Sequence, residues 1–332
     1  MARILHDDII FEILKRLPAR ALMRFKCVCK DWMHLIRDPN FAESHLSHAW
    51  AKPEASYVLF MSNTGVFAAD HTLTLTNSCV PANPGLFRTH MPCSNSVNGL
   101  ICFRSRGGHL VYNLSTGEKR DLPLPTIPGA FKTYALGFDP AKKKYKVLHF
   151  GHERVCQILT LERNSSWRTL NDAPRFRYER SYGRLDLIYV DGKLYFIECR
   201  SSWGISIRFF DLKSEEFGKI GSPPFLRQYY NIPRLAEAGA NLGFVSWKEK
   251  SCIPHPECSF WALDQNWDLK CTFSMKCDKM WGSIGTGKLL LGREGLFMFD
   301  VEARTSKKLE KERDKYTHVL CNHVENIFPL NY

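Results

Sequence analysis

Cys27 and Cys29 stand two residues apart, and Cys252, His255 and Cys258 follow one another at spacings of three. These are the side chains that hold zinc. A structural zinc site takes four ligands, usually with C-x(2–4)-C spacing, and neither group has an obvious remainder nearby, so no metal is expected. The chain has no glycine-rich phosphate loop, no defensible Ser-His-Asp order and no paired carboxylates in a shared loop. Neither a catalytic residue nor a cofactor is therefore expected. What remains is recognition chemistry. Arg104, Arg106, Arg154, Arg177, Arg180, Arg184, Arg200 and Arg227 fall in short polar segments with Tyr178, Trp203, Tyr229 and Tyr230. Arginine beside tyrosine and tryptophan is the usual make-up of interface anchors. Such a surface suits an acidic or phosphorylated peptide, and single-stranded nucleic acid is the alternative ligand. The plain alternative is that long charged side chains simply cover exposed loops.

The elements that must position these groups follow from composition and periodicity. With 332 residues, 44% of them hydrophobic, the chain can build one large domain and one small one. The formal charge of +12 favours acidic partners or serves solubility in general. Twelve cysteines without a small-domain framework, behind an opening stretch that does not resemble an export signal, read as reduced thiols of the cytoplasm or nucleus. No apolar run reaches the roughly 20 residues of a membrane helix, so no membrane contact is expected.

In the first fifty residues Ile9, Ile13 and Leu17 recur every four positions with Ile10 and Leu14 beside them, which is a helical stripe. Asp7 and Asp8 suit its positive end, and Pro18 sets a break after Leu17. A second helix carries Leu22 and Phe25. A third carries Val28, Trp32, Leu35 and Ile36 and ends before Asp38, and a further turn or two follows Phe41. So short a segment cannot bury all these groups alone and calls for a partner surface. The stretch "ILHDDIIFEILKRLPARALMRFKCVCKDWMHLIRDPNFAESHL" resembles an F-box. That resemblance implies that Leu5, Ile9, Ile13, Leu17, Pro18, Leu22, Val28, Cys29 and Trp32 dock on the Skp adaptor, and through it on the cullin, of a Skp–cullin–F-box ubiquitin ligase. His6 replaces the family's first proline.

Beyond Trp50 short apolar runs alternate with turn residues. One layout recurs: strand, tight turn, strand, variable loop, strand, second turn, strand. The second strand begins near Leu100, Tyr145, Leu194, Leu242 and Leu289, at steps of 45, 49, 48 and 47. Four strands at such a period mark a propeller blade. "YVLFM" at Tyr57 lacks an inner strand, and "THVLCNHVENIF" near the end lacks a partner. Joining them closes the ring without an open edge. The fold expected is a small all-α F-box over residues 1–50, followed over residues 51–332 by an all-β propeller of six blades closed by the last strand.

The repeats "SVNGLICF", "VYNLSTGEKRDLPLP", "ALGFDPAKKKYKVL", "NSSWRTL", "YVDGKLYFI" and "FFDLKSEEFGKI" resemble the kelch-like F-box-associated domain of plant F-box proteins. Tight turns of a blade share one face, and the variable loops share the other. These are residues 104–109, 150–154, 199–204 and 248–258, with connections 173–184 and 223–233. The reading is a non-catalytic adaptor, docked by its helices and holding a target protein on the loop face for ubiquitination. A nucleic-acid-binding propeller and a propeller enzyme are the alternatives. The enzyme would need histidines or acids clustered at the ring centre, and the sequence shows no such cluster.

Overall fold

The structure is a computed structural model that describes residues 6–52, 56–62, 65–70, 74–76, 91–92, 96–104, 108–127, 133–151, 155–171, 173–174, 187–200, 204–221, 234–248, 257–274, 279–284, 287–292, 296–308 and 318–330. Four helices come first: α1 (Asp7–Leu14), α2 (Ala19–Phe25), α3 (Lys30–Arg37) and α4 (Pro39–Trp50). Asp7 and Asp8 occupy the first turn of α1, where the helix dipole favours acids. The helix stops at Leu14, three residues before the expected break, and Pro18 then stands as the N-cap of α2 without a side-chain cap bond. Val28 lies in the turn ahead of α3, not inside it; that helix is capped by Cys29, whose Sγ accepts from the Trp32 amide at 3.5 Å. Asp38 ends α3 and caps α4, its Oδ1 accepting from the amide of Asn40 at 2.7 Å. With Pro39 at its first turn, α4 runs 12 residues, longer than the one or two turns expected.

The strands form six four-stranded antiparallel sheets, which are the six blades of a β-propeller. Blade one contains β1 (Tyr57–Ser62), β2 (Gly65–Ala69) and β3 (Leu75–Thr76). Blade two contains β4 (Met91–Pro92), β5 (Leu100–Arg104), β6 (His109–Asn113) and β7 (Lys119–Asp121). Blade three runs through β8 (Thr133–Asp139), β9 (Lys144–Phe150), β10 (Cys156–Thr160) and β11 (Arg168–Leu170). Blade four holds β12 (Leu187–Val190), β13 (Lys193–Arg200), β14 (Gly204–Asp211) and β15 (Glu216–Ile220). Blade five holds β16 (Arg234–Ala238), β17 (Asn241–Lys248), β18 (Glu257–Leu263) and β19 (Trp267–Ser274). Blade six holds β20 (Lys279–Ile284), β21 (Lys288–Gly292), β22 (Leu296–Asp300) and β23 (Thr305–Lys308). The last strand, β24 (His318–His323), returns to blade one and pairs antiparallel with β1, as the unpaired runs at the two ends of the repeat array require.

The strand ends at His323, however, not at Phe328. Val324 to Phe328 leave the sheet because their side chains have another place to go, described below.

The chain divides into two compact units. One comprises residues Met1–Pro92, Ser96–Leu122 and Tyr316–Tyr332, and thus holds the helices and the first two blades. The other comprises Cys93–Asn95 and Pro123–Lys315, with the remaining four blades. Within the first unit, Leu59, Met61, Ile101, Phe103 and Leu110 pack blade one on blade two. Within the second, Leu148, Phe150, Leu194 and Phe210 join blade three to blade four. The outer strands carry Lys119 and Arg120, Arg168, Lys219, Lys270, and Lys307 with Lys308. Basic residues on exposed edges deter pairing with another chain, which gives part of the positive charge a role unconnected with any ligand.

The Asp191-Gly192 turn has φ of 41° and 72°, the pair of left-handed residues that a tight hairpin demands. Near it lies a buried ion network. Lys146 Nζ sits 2.9 Å from Asp139 Oδ2 and 2.9 Å from Glu215 Oε1, and also donates to the Leu212 carbonyl. All three ammonium protons are thereby used, and the network ties blade three to the second turn of blade four. Arg168 holds the other oxygen of Glu215. Asp139 also accepts from the amides of Ala141 and Lys142. Burial opposes its charge, but the hydrogen bond from Lys146 and these amides prevail and hold its carboxyl below the usual range.

Candidate functional site

The helices have an inner and an outer apolar face. The inner face is a core of Leu14, Ala19, Leu22, Ile36, Phe41 and Ala42, with Phe11 edge-on to Phe41 at 5.2 Å and Phe25 against Trp32 at 5.5 Å. His45 is buried among these groups, and its Nε2 lies 2.9 Å from the Leu17 carbonyl. Desolvation lowers its pKa and favours the neutral ring.

Outside this core Ile9 and Ile13, one turn apart on α1, are each 48% exposed, and Val28 in the turn ahead of α3 is 59% exposed, an unusual display for large apolar side chains in so small a module. Pro18 and Cys29 are exposed as well, while Leu17 and Trp32 are half-buried and lean on the helical core. Leu22, expected on the docking surface, is fully buried in that core; it serves the surface only by holding the helices. Leu5 lies outside the described residues. His6, in place of the family's proline, is exposed, with Nδ1 3.2 Å from Asp8 Oδ2. Glu12 is flanked by Lys15 at 2.6 Å and Arg16 at 2.7 Å, whose hydrogen bonds lower its pKa.

The segment after β24 completes the module. Ile327 is 1% exposed within the helical core, and Phe328 packs against it. Glu325 Oε2 accepts from the Ala19 amide at 2.8 Å, across 306 residues of chain. It caps α2, which Pro18 leaves without a side-chain cap. The opposite side of the segment is fastened to blade two. The Asn326 amide donates to Ser115 Oγ at 3.1 Å, Asn113 Nδ2 to the Phe328 carbonyl at 3.1 Å, and the Leu330 amide to Glu118 Oε2 at 2.9 Å. Asn326 Nδ2 also donates to the Asn98 carbonyl. Gly99, at φ 80°, lets the backbone come this close: a Cβ there would lie 2.4 Å from the Val324 carbonyl oxygen.

Blades four and six place Asp211 and Asp300 where blade two has Asn113, each accepting from the amides two and three residues on. Only the asparagine can also donate to Phe328. That difference between repeats is the sequence signal of the segment, and it is missed when the repeats are read for period alone.

Of the expected target-binding residues, Arg104 closes β5 and is exposed. Arg200 closes β13, its backbone paired with Gly204. Arg106, Arg154, Arg177, Tyr178, Arg180, Arg184, Trp203, Arg227, Tyr229 and Tyr230 lie outside the described residues. Beside the variable loops, blades three to five each carry a buried polar cross-strand pair: His149 with Gln157, Glu198 with Ser206, and Ser246 with Ser259. Gln157 holds the incoming chain, accepting from the Thr126 amide at 3.1 Å. Ser206 donates to Glu198 at 2.9 Å. Cys27 and Cys29 are free exposed thiols, and Cys258 is a buried thiol. Cys252 and His255 lie outside the described residues, among which no cluster of three or more metal-ligating side chains occurs. No helix among the described residues is long and apolar enough to cross a membrane.

The chain is thus a small helical module with exposed apolar side chains, followed by a six-bladed propeller. Two families match it: the F-box domain over residues 4–44 and the F-box associated beta propeller domain over residues 58–285. The chain belongs to the plant F-box proteins with an F-box associated propeller. It is 29% identical over 281 residues to the F-box protein At4g38870 of Arabidopsis thaliana, covering 75% of this chain and 63% of that one. It is 27% identical to At1g53790 (83% of this chain, 66% of the relative) and 25% identical to At3g23960 (96% and 91%), both F-box proteins of the same plant. The chain thus spans somewhat under two thirds of the first of these relatives.

Proposed function

We propose that this chain is a substrate-recognition subunit of a Skp–cullin–F-box ubiquitin ligase. The observation that carries the proposal is the exposure of the apolar side chains Ile9, Ile13 and Val28 on a module of the F-box family. These side chains dock on the Skp adaptor, which brings in the cullin. The propeller holds an acidic or phosphorylated target through the basic aromatic loops that contain Arg177, Arg180, Arg200 and Trp203. The chain itself is not an enzyme: tethering raises the target's effective concentration near the charged ubiquitin-conjugating enzyme, and other subunits do the chemistry. The proposed setting is the cytoplasm or nucleus. The test is size-exclusion chromatography of the purified chain with a purified Skp adaptor. Co-elution as a stoichiometric complex is expected, and separate elution at micromolar concentrations contradicts the proposal.

A further inference from the structure

We infer that Glu325, Ile327 and Phe328 are positioning residues of the docking face, so that the chain becomes competent to dock only once the segment following β24 has closed under the helices. The inference rests on the docking reading above and concerns what sets that surface in place.

The outer and inner faces belong to the same short helices. In α1, Ile9 and Ile13 point outward while Ile10, Phe11 and Leu14 meet the core that contains Ile327. Releasing Leu14 therefore disturbs Ile13 one residue away. A module of some forty residues has too little interior to fix its own helices, and here Ile327 and Phe328, from the far end of the sequence, supply part of the core. The polar contribution has the same origin, since the cap of α2 is Glu325.

The segment cannot act as a loose filler, because its other side is pinned to blade two through Asn98, Asn113, Ser115 and Glu118. It also emerges directly from β24, the strand that completes blade one. Closure of that blade and completion of the docking module are thus one event in the chain. During synthesis the docking helices are made first and become whole last. Adaptor docking would then select chains whose first blade is complete.

The experiment uses the full chain and the variants Ile327→Asp, Ile327→Ala and Glu325→Ala, with Lys142→Glu in an exposed propeller turn as a charge control. Two quantities are read: hydrogen exchange of the amides in α1 and α2 relative to those in β12–β15, and affinity for the purified Skp adaptor. For Ile327→Asp the expectation is a loss of helix protection of about a hundredfold, with the β12–β15 amides unchanged. Adaptor affinity should fall about tenfold or more, because a charge then faces the helical core. Ile327→Ala and Glu325→Ala should give graded losses in both readings, and Lys142→Glu neither. Unchanged exchange in α1 and α2 overturns the inference. So does reduced protection with full affinity, since the adaptor would then impose the geometry itself. If the unaltered chain fails to bind the adaptor, the docking reading falls with it. The exchange readings would still decide whether the helices depend on the segment.

Discussion

Replacing Ile9, Ile13 and Val28 together by alanine removes the open apolar side chains of the helical module. About half of each isoleucine is still open to solvent, and rather more of the valine. Burying a whole aliphatic side chain contributes about 1.5–3 kcal/mol, so the open halves offer about 0.8–1.5 kcal/mol each to a partner. Three of them sum to about 2.4–4.5 kcal/mol, which at 1.4 kcal/mol per decade is a loss of about 50-fold to 1,600-fold in affinity. The covered halves contribute to the fold in similar measure, so some loss of stability accompanies the loss of affinity and must be measured beside it. Isothermal titration of a purified Skp adaptor into the triple variant, beside a thermal melt, measures both. Leu22→Ala is the contrast: its side chain is fully buried, so it should lose about 2–5 kcal/mol of module stability and bind poorly for that reason. Leu17 and Trp32 are less informative targets, because they lean on the core as well as on the surface. If the triple variant binds within threefold of the unaltered chain, this face is not the docking surface.

Lys146→Met should strand the buried charges of Asp139 and Glu215 at a cost of about 3–5 kcal/mol, and the melting temperature should fall visibly in calorimetry. Adding Asp139→Asn and Glu215→Gln should recover much of that loss; no recovery would mean the charges are not the cause. Burial pushes His149 and His323 from 6.5 down to about 4, so the unfolded chain binds protons that the folded chain refuses between those pH values. Their stabilisation is present above pH 6.5 and is lost as pH falls toward 4. At pH 5 each should cost about 2 kcal/mol, and His149→Phe should flatten the acid limb of a melting-temperature profile. Glu237 runs the other way, raised by burial from 4.5 to about 7, so its folded form holds a proton that the unfolded form releases. Stability should therefore decline as pH rises from 4.5 to 7. Glu237→Gln should stabilise the chain by about 2–3 kcal/mol at pH 8 and scarcely at pH 4, a difference that urea titrations at the two pH values will show.

The blades were legible because each repeats its turns and its apolar alternation, so Leu100, Tyr145, Leu194, Leu242 and Leu289 mark the second strands without knowledge of any contact. The helical module was legible through its stripe and through the motif from Leu17 to Trp32. Its two faces were not. A four-residue period tells that Ile13 and Leu22 are apolar, but only the packing of α1, α2 and α3 decides that Ile13 stays open while Leu22 is enclosed. Lys146 was hidden in the basic run "KKKYK": its exposed neighbours Lys142 to Lys144 suggest solvent, while from Tyr145 onward the strand is buried on both faces. Val324 to Phe328 read as more strand because Val324, Ile327 and Phe328 are apolar and the stretch follows a strand. Their true partners lie 211 to 306 residues away, a separation over which local pattern carries no information.

The measurement that bears most directly on the account is ubiquitin transfer to whatever the propeller captures. The chain, assembled with Skp adaptor, cullin and a ubiquitin-conjugating enzyme in extract, should yield ubiquitin conjugates on the proteins that co-purify with it. Ile9→Asp with Ile13→Asp should capture the same proteins and leave them unconjugated. Equal conjugation by both chains, or capture without conjugation by the unaltered one, would contradict the claim that this protein joins a target to the ligase.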